Sequence, residues 1–224
     1  MKGKVAYRYV LIAVAAVAMG TAALLTGCPI YRVLPLYVSL IVMYLQVKVS
    51  RFSFLLGGCN AAYYGAVYLA LGLYGMAMYN AFVACPIQIV TYIRWKNNTQ
   101  SNETRLKRLS VKTRLLCVLA FCAAWAVSYF ALQAFGSEYL ILDNTATLIS
   151  ACANVASLLC LIEFPYIQCV SYVVNIALYI QMIQDDPRQW TFLVYAVYAL
   201  VCVVISAVFL QKQYDRQQKN SHPL

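Results

Sequence analysis

Residues 74–98, YGMAMYNAFVACPIQIVTYIRWKNN, are apolar enough to lie in a membrane, yet carry Asn80, Pro86 and Gln88 near their middle. Pro86 has no amide proton to donate and crowds the turn before it, so a helix here is expected to kink. Gln88, Tyr92 and Trp95 follow at i, i+4 and i+7, which sets an amide and two aromatic rings on one face. An amide turned to hydrocarbon is costly, so that face is expected to point at other helices or at a polar cavity.

The rest of the chain is of the same kind. Of its 224 residues 63% are hydrophobic and only 11% charged, and the mean hydropathy is +0.71. A water-soluble domain of this size needs more polar surface, so the composition indicates an all-α integral membrane protein. At about 20 apolar residues per span, the spacing predicts eight helices: 5–26, 33–49, 53–72, 76–95, 113–134, 142–161, 165–183 and 189–211. The first follows a basic start but lacks a small-residue cleavage site, so it is read as a peripheral membrane helix (domain 1–31) rather than a signal peptide. The tail, 212–224, is polar and expected to be disordered and cytoplasmic.

A net charge of +10 invites a nucleic-acid partner, but the placement of the charges excludes it. With both termini cytoplasmic, Lys2, Lys4, Arg8, Lys48, Arg51, the cluster from Arg94 to Arg114, and Lys212, Arg216 and Lys219 all fall inside. Only Arg32 and Arg188 fall outside. This is the positive-inside pattern of an even number of spans. It also puts the two Asn-x-Thr sequons at Asn97 and Asn102 on the cytoplasmic side, where they escape glycosylation. The nine cysteines are scattered through apolar runs and the single histidine is His222, so neither a metal site nor a disulfide framework is indicated.

Two further helices carry polar stripes. In 53–72, Asn60 and Tyr64 share a face with Tyr68, and Gly57 and Gly58 allow a neighbouring backbone to approach. In 165–183, Gln168, Tyr172, Asn175 and Tyr179 run at i, i+4, i+7 and i+11, about three turns of continuous amides and phenols. Asn154 lies with Ser150 and Ser157 on one face of 142–161. Without its first helix, the chain divides into three helices, a connector (113–134) and three more, with halves 32–96 and 142–211. Asn60–Tyr64 and Asn175–Tyr179 suggest a repeat, or else one that pairs Asn60 with Tyr172. Two triplets joined by an odd connector are parallel repeats enclosing a midplane site.

The stretch PIQIVTYIRWKN, 86–97, is similar to the Pro-x-Gln-Ile-x-Gly-Trp-x-x-Trp signature of the PnuC-type vitamin transporters. The run from Asp143 through Ser150, Ala153 and Glu163 to Tyr179 resembles their second-half signature. The resemblance covers about 37–211. It implies a 3+1+3 core similar to SWEET sugar carriers but of opposite membrane orientation, and uniport of a vitamin or nucleoside of the nicotinamide riboside type. The cargo is then retained by a cytoplasmic vitamin kinase, and the assembly implied is a homotrimer. Thiamine, riboflavin or a deoxynucleoside are alternative cargoes on the same fold. Thr91-Tyr92 stands where the family has Gly-Trp, and Pro165, Gln168 and Tyr172 replace Trp, Trp and Asn of a helical motif that begins at Glu163. Gln88, Trp95 and Glu163 carry over directly.

The expected substrate site is therefore Asn60, Tyr64, Gln88, Tyr92, Trp95, Asn154, Gln168, Tyr172, Asn175 and Tyr179: amides for the edge of a flat vitamin and phenols for its faces. No cofactor is expected, since there is no nucleotide-binding glycine loop, and no acid lies at mid-membrane to relay an ion. A membrane enzyme is excluded by the lack of any nucleophile or metal constellation. The alternative of another class is the substrate-binding subunit of an ATP-driven importer.

Overall fold

The computed structural model describes residues 2–100 and 103–221, with side chains over 10–98 and 105–219. The second sequon, Asn102, and His222 lie outside the described residues. Eight long helices follow one another: α1 (Lys2–Thr26), α2 (Ile30–Val47), α3 (Phe52–Ala70), α4 (Tyr74–Asn97), α5 (Val111–Ala134), α6 (Leu140–Leu158), α7 (Phe164–Asp185) and α8 (Trp190–Ser221). Of these, α2, α4, α5, α7 and α8 are long and apolar enough to cross a membrane. The helices α3 and α6 are diluted by the polar residues they turn inward, among them Asn60, Asp143 and Asn144, all buried.

Short turns make the neighbours antiparallel and bring both described chain ends to one end of the bundle, called the termini end below. Helix α3 lies against α2 and α4, α7 against α6 and α8, and α8 also against α1 and α2. The connector α5 touches α6 and leaves Val111, Leu115, Leu119, Val127 and Phe130 exposed. On α1 only Ala15 and Met19 are buried among the described side chains. Exposed aliphatic faces of this extent are what hydrocarbon requires and water forbids.

Helix α4 is irregular where the kink is expected. A π-helical turn spans Asn80–Ala84, immediately before Pro86. A widened turn accommodates the carbonyl that proline cannot satisfy. Asn80 steadies it by donating its amide to the Met76 carbonyl at 2.8 Å.

The same turn occurs twice, 111 residues apart. After α2 and after α6 the chain closes with a residue in the left-handed region, Val49 and Cys160, each at φ 55°. Val49 N donates to Gln46 O at 2.8 Å and Ser50 N to Leu45 O at 2.9 Å; Cys160 N donates to Ser157 O at 3.0 Å and Leu161 N to Ala156 O at 2.9 Å. This is the paired-bond closure of a helix C-terminus, used in duplicate. In this register Asn60 corresponds to Ser171 and Tyr68 to Tyr179. That register differs from the expected pairings of Asn60 with Asn175 or with Tyr172.

The ends of the bundle are tied across. Asp143 on α6 accepts from the bare amides of Gly75 (2.9 Å) and Met76 (3.0 Å) at the start of α4, a remote cap for that helix's positive end. Its counterpart in the 111-residue register is Arg32 on α2, which pairs with Asp186 at 3.0 Å ahead of α8. At the termini end Trp95 donates to the Ser157 carbonyl at 2.8 Å, and Ser206 to the Gln46 carbonyl at 3.3 Å.

The polar loop before α5 does more than set charge. Lys107 exchanges backbone bonds with Cys160 and Ile162, both at 2.9 Å. Glu163 accepts from Leu109 N (3.1 Å) and Arg114 (2.6 Å). The expected disorder of the tail is also corrected: α8 runs on to Ser221, and Gln217 accepts from Leu106 N at 3.0 Å.

Candidate functional site

Between α2–α4 on one side and α6–α8 on the other lies a cavity of about 170 Å³. Among the described residues no charged side chain lines it. Helix α3 presents Asn60, Tyr64 and Tyr68; α7 presents Gln168, Tyr172, Asn175 and Tyr179; α6 adds Ser150 and Asn154; and α4 adds Tyr79, Asn80 and Gln88. The helical stripes read from the sequence thus converge on one space.

The polar groups are organised by each other. Asn60 donates to the Pro35 carbonyl (2.9 Å) and to Ser39 Oγ (2.8 Å), and the Ser39 and Tyr64 hydroxyls lie 3.1 Å apart. Across the cavity Ser150 and Ser171 are 2.8 Å apart, and Asn175 donates to the Ser171 carbonyl at 2.9 Å. Asn154 donates to the Tyr79 hydroxyl. Further bonds join α2–α4 to α6–α8. Towards the far end the Tyr68 and Tyr179 hydroxyls are 3.1 Å apart, and nearer the termini end Gln46 donates to Gln168 Oε1 at 3.0 Å. Rings add to this: Tyr64 stacks on Tyr68 with centroids 5.3 Å apart, and Tyr172 meets Tyr195 edge-on at 6.4 Å.

Gln88 reaches the cavity because α3 has no side chain at Gly57. A Cβ there would sit 2.2 Å from Gln88 Oε1. In the 111-residue register the position of Gly57 is filled in α7 by Gln168, while the Gln88 amide from α4 occupies the gap at Gly57 itself.

Two expected residues do not line the cavity. Tyr92 packs against Phe52 with centroids 5.7 Å apart. Trp95 is 1% exposed, wedged between Phe54 (4.8 Å) and Phe164 (6.0 Å) in an apolar cluster below the cavity. Their spacing gave the right direction around the helix axis and the wrong level along it. Residues the expectation left out are Ser39, Gln46, Tyr68, Tyr79, Asn80, Ser171 and Tyr195. Tyr68 continues the Asn60–Tyr64 spacing and could have been found; Gln46 and Tyr195 are lone polar residues in apolar helices, without a pattern.

Titratable groups cluster at the far end instead. Burial would raise the Asp186 carboxyl, but the Arg188 amide (3.1 Å) and the Arg32 guanidinium hold it below the usual carboxylate range. Burial and the Asp185 carboxylate it donates to push the Tyr139 phenol up to about 12. Among the described residues no cluster of His, Cys, Asp or Glu could hold a metal ion, and all nine cysteines are free thiols.

Comparison with known proteins gives three matches. The profile of the family described as nicotinamide mononucleotide transporter matches residues 30–210. The nicotinamide riboside transporter PnuC of Neisseria mucosa is 29% identical over 118 residues, 50% of this chain and 44% of its own length. The match therefore spans less than half of that relative. The crystal structure of the vitamin B3 transporter PnuC superposes with a TM-score of 0.79 at 20% identity, covering 94% of this chain and 92% of that one. At that identity the likeness establishes the fold.

Proposed function

The chain belongs to the nicotinamide mononucleotide transporter family, and on that premise we propose that it is a membrane uniporter for an unphosphorylated vitamin nucleoside of the nicotinamide riboside type. The family is one of transporters, not enzymes. The observation that carries the reading is a charge-free cavity of amides and phenols enclosed by membrane-length helices. Phenol faces suit a flat heteroaromatic ring and attract the positive charge of a pyridinium nucleoside, and amides suit its polar edge. A mononucleotide would bring a phosphate into a cavity lined by neither lysine nor arginine, where its charge would be left unpaired. The name of the Neisseria relative points to the same dephosphorylated cargo.

The proposed architecture is two parallel triplets, α2–α4 and α6–α8, linked by α5 and related by an axis along the membrane normal. The recurrence of one turn at 111 residues supports it, as do the crosswise ties between first and third helices. Both termini face the cytoplasm, a placement that the distribution of basic residues supports. The Tyr68–Tyr179 pair then closes the cavity towards the outside, and rocking of one triplet against the other opens it. With no ion relay in the cavity, transport runs downhill and a cytoplasmic kinase traps the product.

The test is uptake of labelled nicotinamide riboside by cells expressing the wild type and Gln88→Ala at equal membrane levels. Uptake by the wild type and its loss in the variant are expected. Uptake by neither nicotinamide riboside nor thiamine, riboflavin or deoxynucleosides would overturn the function; full uptake by Gln88→Ala would overturn the site.

A further inference from the structure

Buried polar atoms in a folded protein find partners, and each that does not calls for a reason, a bound water, ion or ligand among them. Six buried side-chain atoms lack a hydrogen bond among the described residues, and two belong to residues that border the cavity: Gln46 Oε1 and Asn175 Oδ1. Both residues are deeply buried, 8% and 7% exposed. The orientation of Asn175 is fixed, since its amide nitrogen donates to the Ser171 carbonyl and its oxygen must be the acceptor. Gln46 spends its nitrogen on Gln168 Oε1. Each residue therefore holds one unused acceptor that no described donor reaches; neither oxygen opens onto the cavity as it stands, and a small turn of each side chain brings it to a ligand.

The two acceptors lie at different depths. Gln46 is held beside Gln168, and Asn175 follows Gln168 by seven residues on α7, about two turns or roughly 10 Å along the helix. Their surroundings differ as well. The level of Asn175 is aromatic, with Tyr64, Tyr68 and Tyr179 on the walls; the level of Gln46 has Gln168, Gln88 and Ser53.

We infer that Gln46 and Asn175 are specificity-determining residues that read a hydrogen-bond donor at each end of an elongated ligand. Asn175 takes the N–H of a ring carboxamide held among the tyrosines. Gln46 takes a sugar hydroxyl at the amide-rich level. The inference rests on the nucleoside reading above and narrows it. A free base, or a ring with a methyl group in place of the sugar, satisfies Asn175 and leaves Gln46 unpaired. Leaving a buried acceptor unmade lowers affinity by about tenfold or more.

The experiment is calorimetric titration of the detergent-purified full chain with nicotinamide riboside and with 1-methylnicotinamide, which keeps the ring, its charge and the carboxamide but has no sugar. The wild type is expected to favour the riboside at least tenfold, by about the cost of one unmade bond. Gln46→Met should lose that preference by weakening only the riboside, whereas Asn175→Leu should weaken both ligands alike. Melting temperatures without ligand verify that each variant is folded, and the wild-type comparison needs no variant at all. Equal affinity of the wild type for both ligands would overturn the inference, as would an unchanged preference in folded Gln46→Met. Binding of neither ligand would overturn it together with the nucleoside reading; binding with the wrong preference overturns the inference alone.

Discussion

Adding one methyl group at Gly57 should separate binding from stability. In Gly57→Ala the new Cβ falls 2.2 Å from Gln88 Oε1, with the Val42 methyl next at 3.6 Å. Ordinary carbon–oxygen contact needs over 3 Å, so the amide must retreat by about 1 Å or more, beyond hydrogen-bond tolerance for a ligand it had met at the usual distance. The retreat is cheap for the fold, because the obstructing atom is the tip of a flexible side chain. Alanine also favours the interior of α3 over glycine by up to about 1 kcal/mol. Nicotinamide riboside affinity should therefore fall about tenfold, the cost of one ligand bond, while the melting temperature holds steady or rises by about 2–4 °C. Calorimetry and thermal unfolding of the same detergent preparation measure both. Unchanged affinity would show that the Gln88 amide does not meet the ligand; a drop of many degrees would show that the Gly57 gap is rigid and structural.

Trp95→Phe removes the bond to the Ser157 carbonyl and part of a buried ring, so stability should fall by about 2 kcal/mol with ligand affinity unchanged; altered ligand preference would return Trp95 to the site. Asp143→Ala strips the cap from Gly75 and Met76 and should cost about 3 kcal/mol in thermal unfolding, a result refuted by an unshifted melting temperature. The lowered pKa of Asp186 makes its ion pair with Arg32 stabilising above the unfolded carboxyl value of about 3.9, a contribution lost as pH falls through the lower folded value. Asp186 is one-third exposed, so the contribution is about 1 kcal/mol or less. The melting-temperature gap between wild type and Asp186→Asn should be constant from neutral pH down to about 5 and close below about 4; a gap that closes near neutrality would refute the assignment.

What the sequence made legible follows from what helical spacing encodes. The stripes Asn60–Tyr64 and Gln168–Tyr179 reach the cavity because residues at i, i+4 and i+7 share a direction about the axis. Trp95 has the same direction as Gln88, but seven residues carry it about 10 Å further along, past the cavity floor and into an apolar cluster. Depth depends on where the neighbouring helices end, which no single-helix pattern records. Gln46 and Tyr195 were invisible for the opposite reason: each is a lone polar residue whose meaning comes from its partner on another helix. The recurring turn gives the proposed repeat another register than residue identity does, because the positions it pairs hold unlike residues, Gly57 with Gln168 and Asn60 with Ser171. Its signature is a backbone angle at Val49 and Cys160, where neither residue is the glycine that would announce it.

That unlikeness has a consequence of its own. In the proposed two-triplet architecture, identical copies turned about a common axis would offer a cargo two equivalent poses half a turn apart, and a flat molecule would flicker between them. Asn175 stands where the other copy has Tyr64, and Gln168 where it has a bare glycine. On the proposed reading the degeneracy is lifted, and a cargo is expected to have one way to sit.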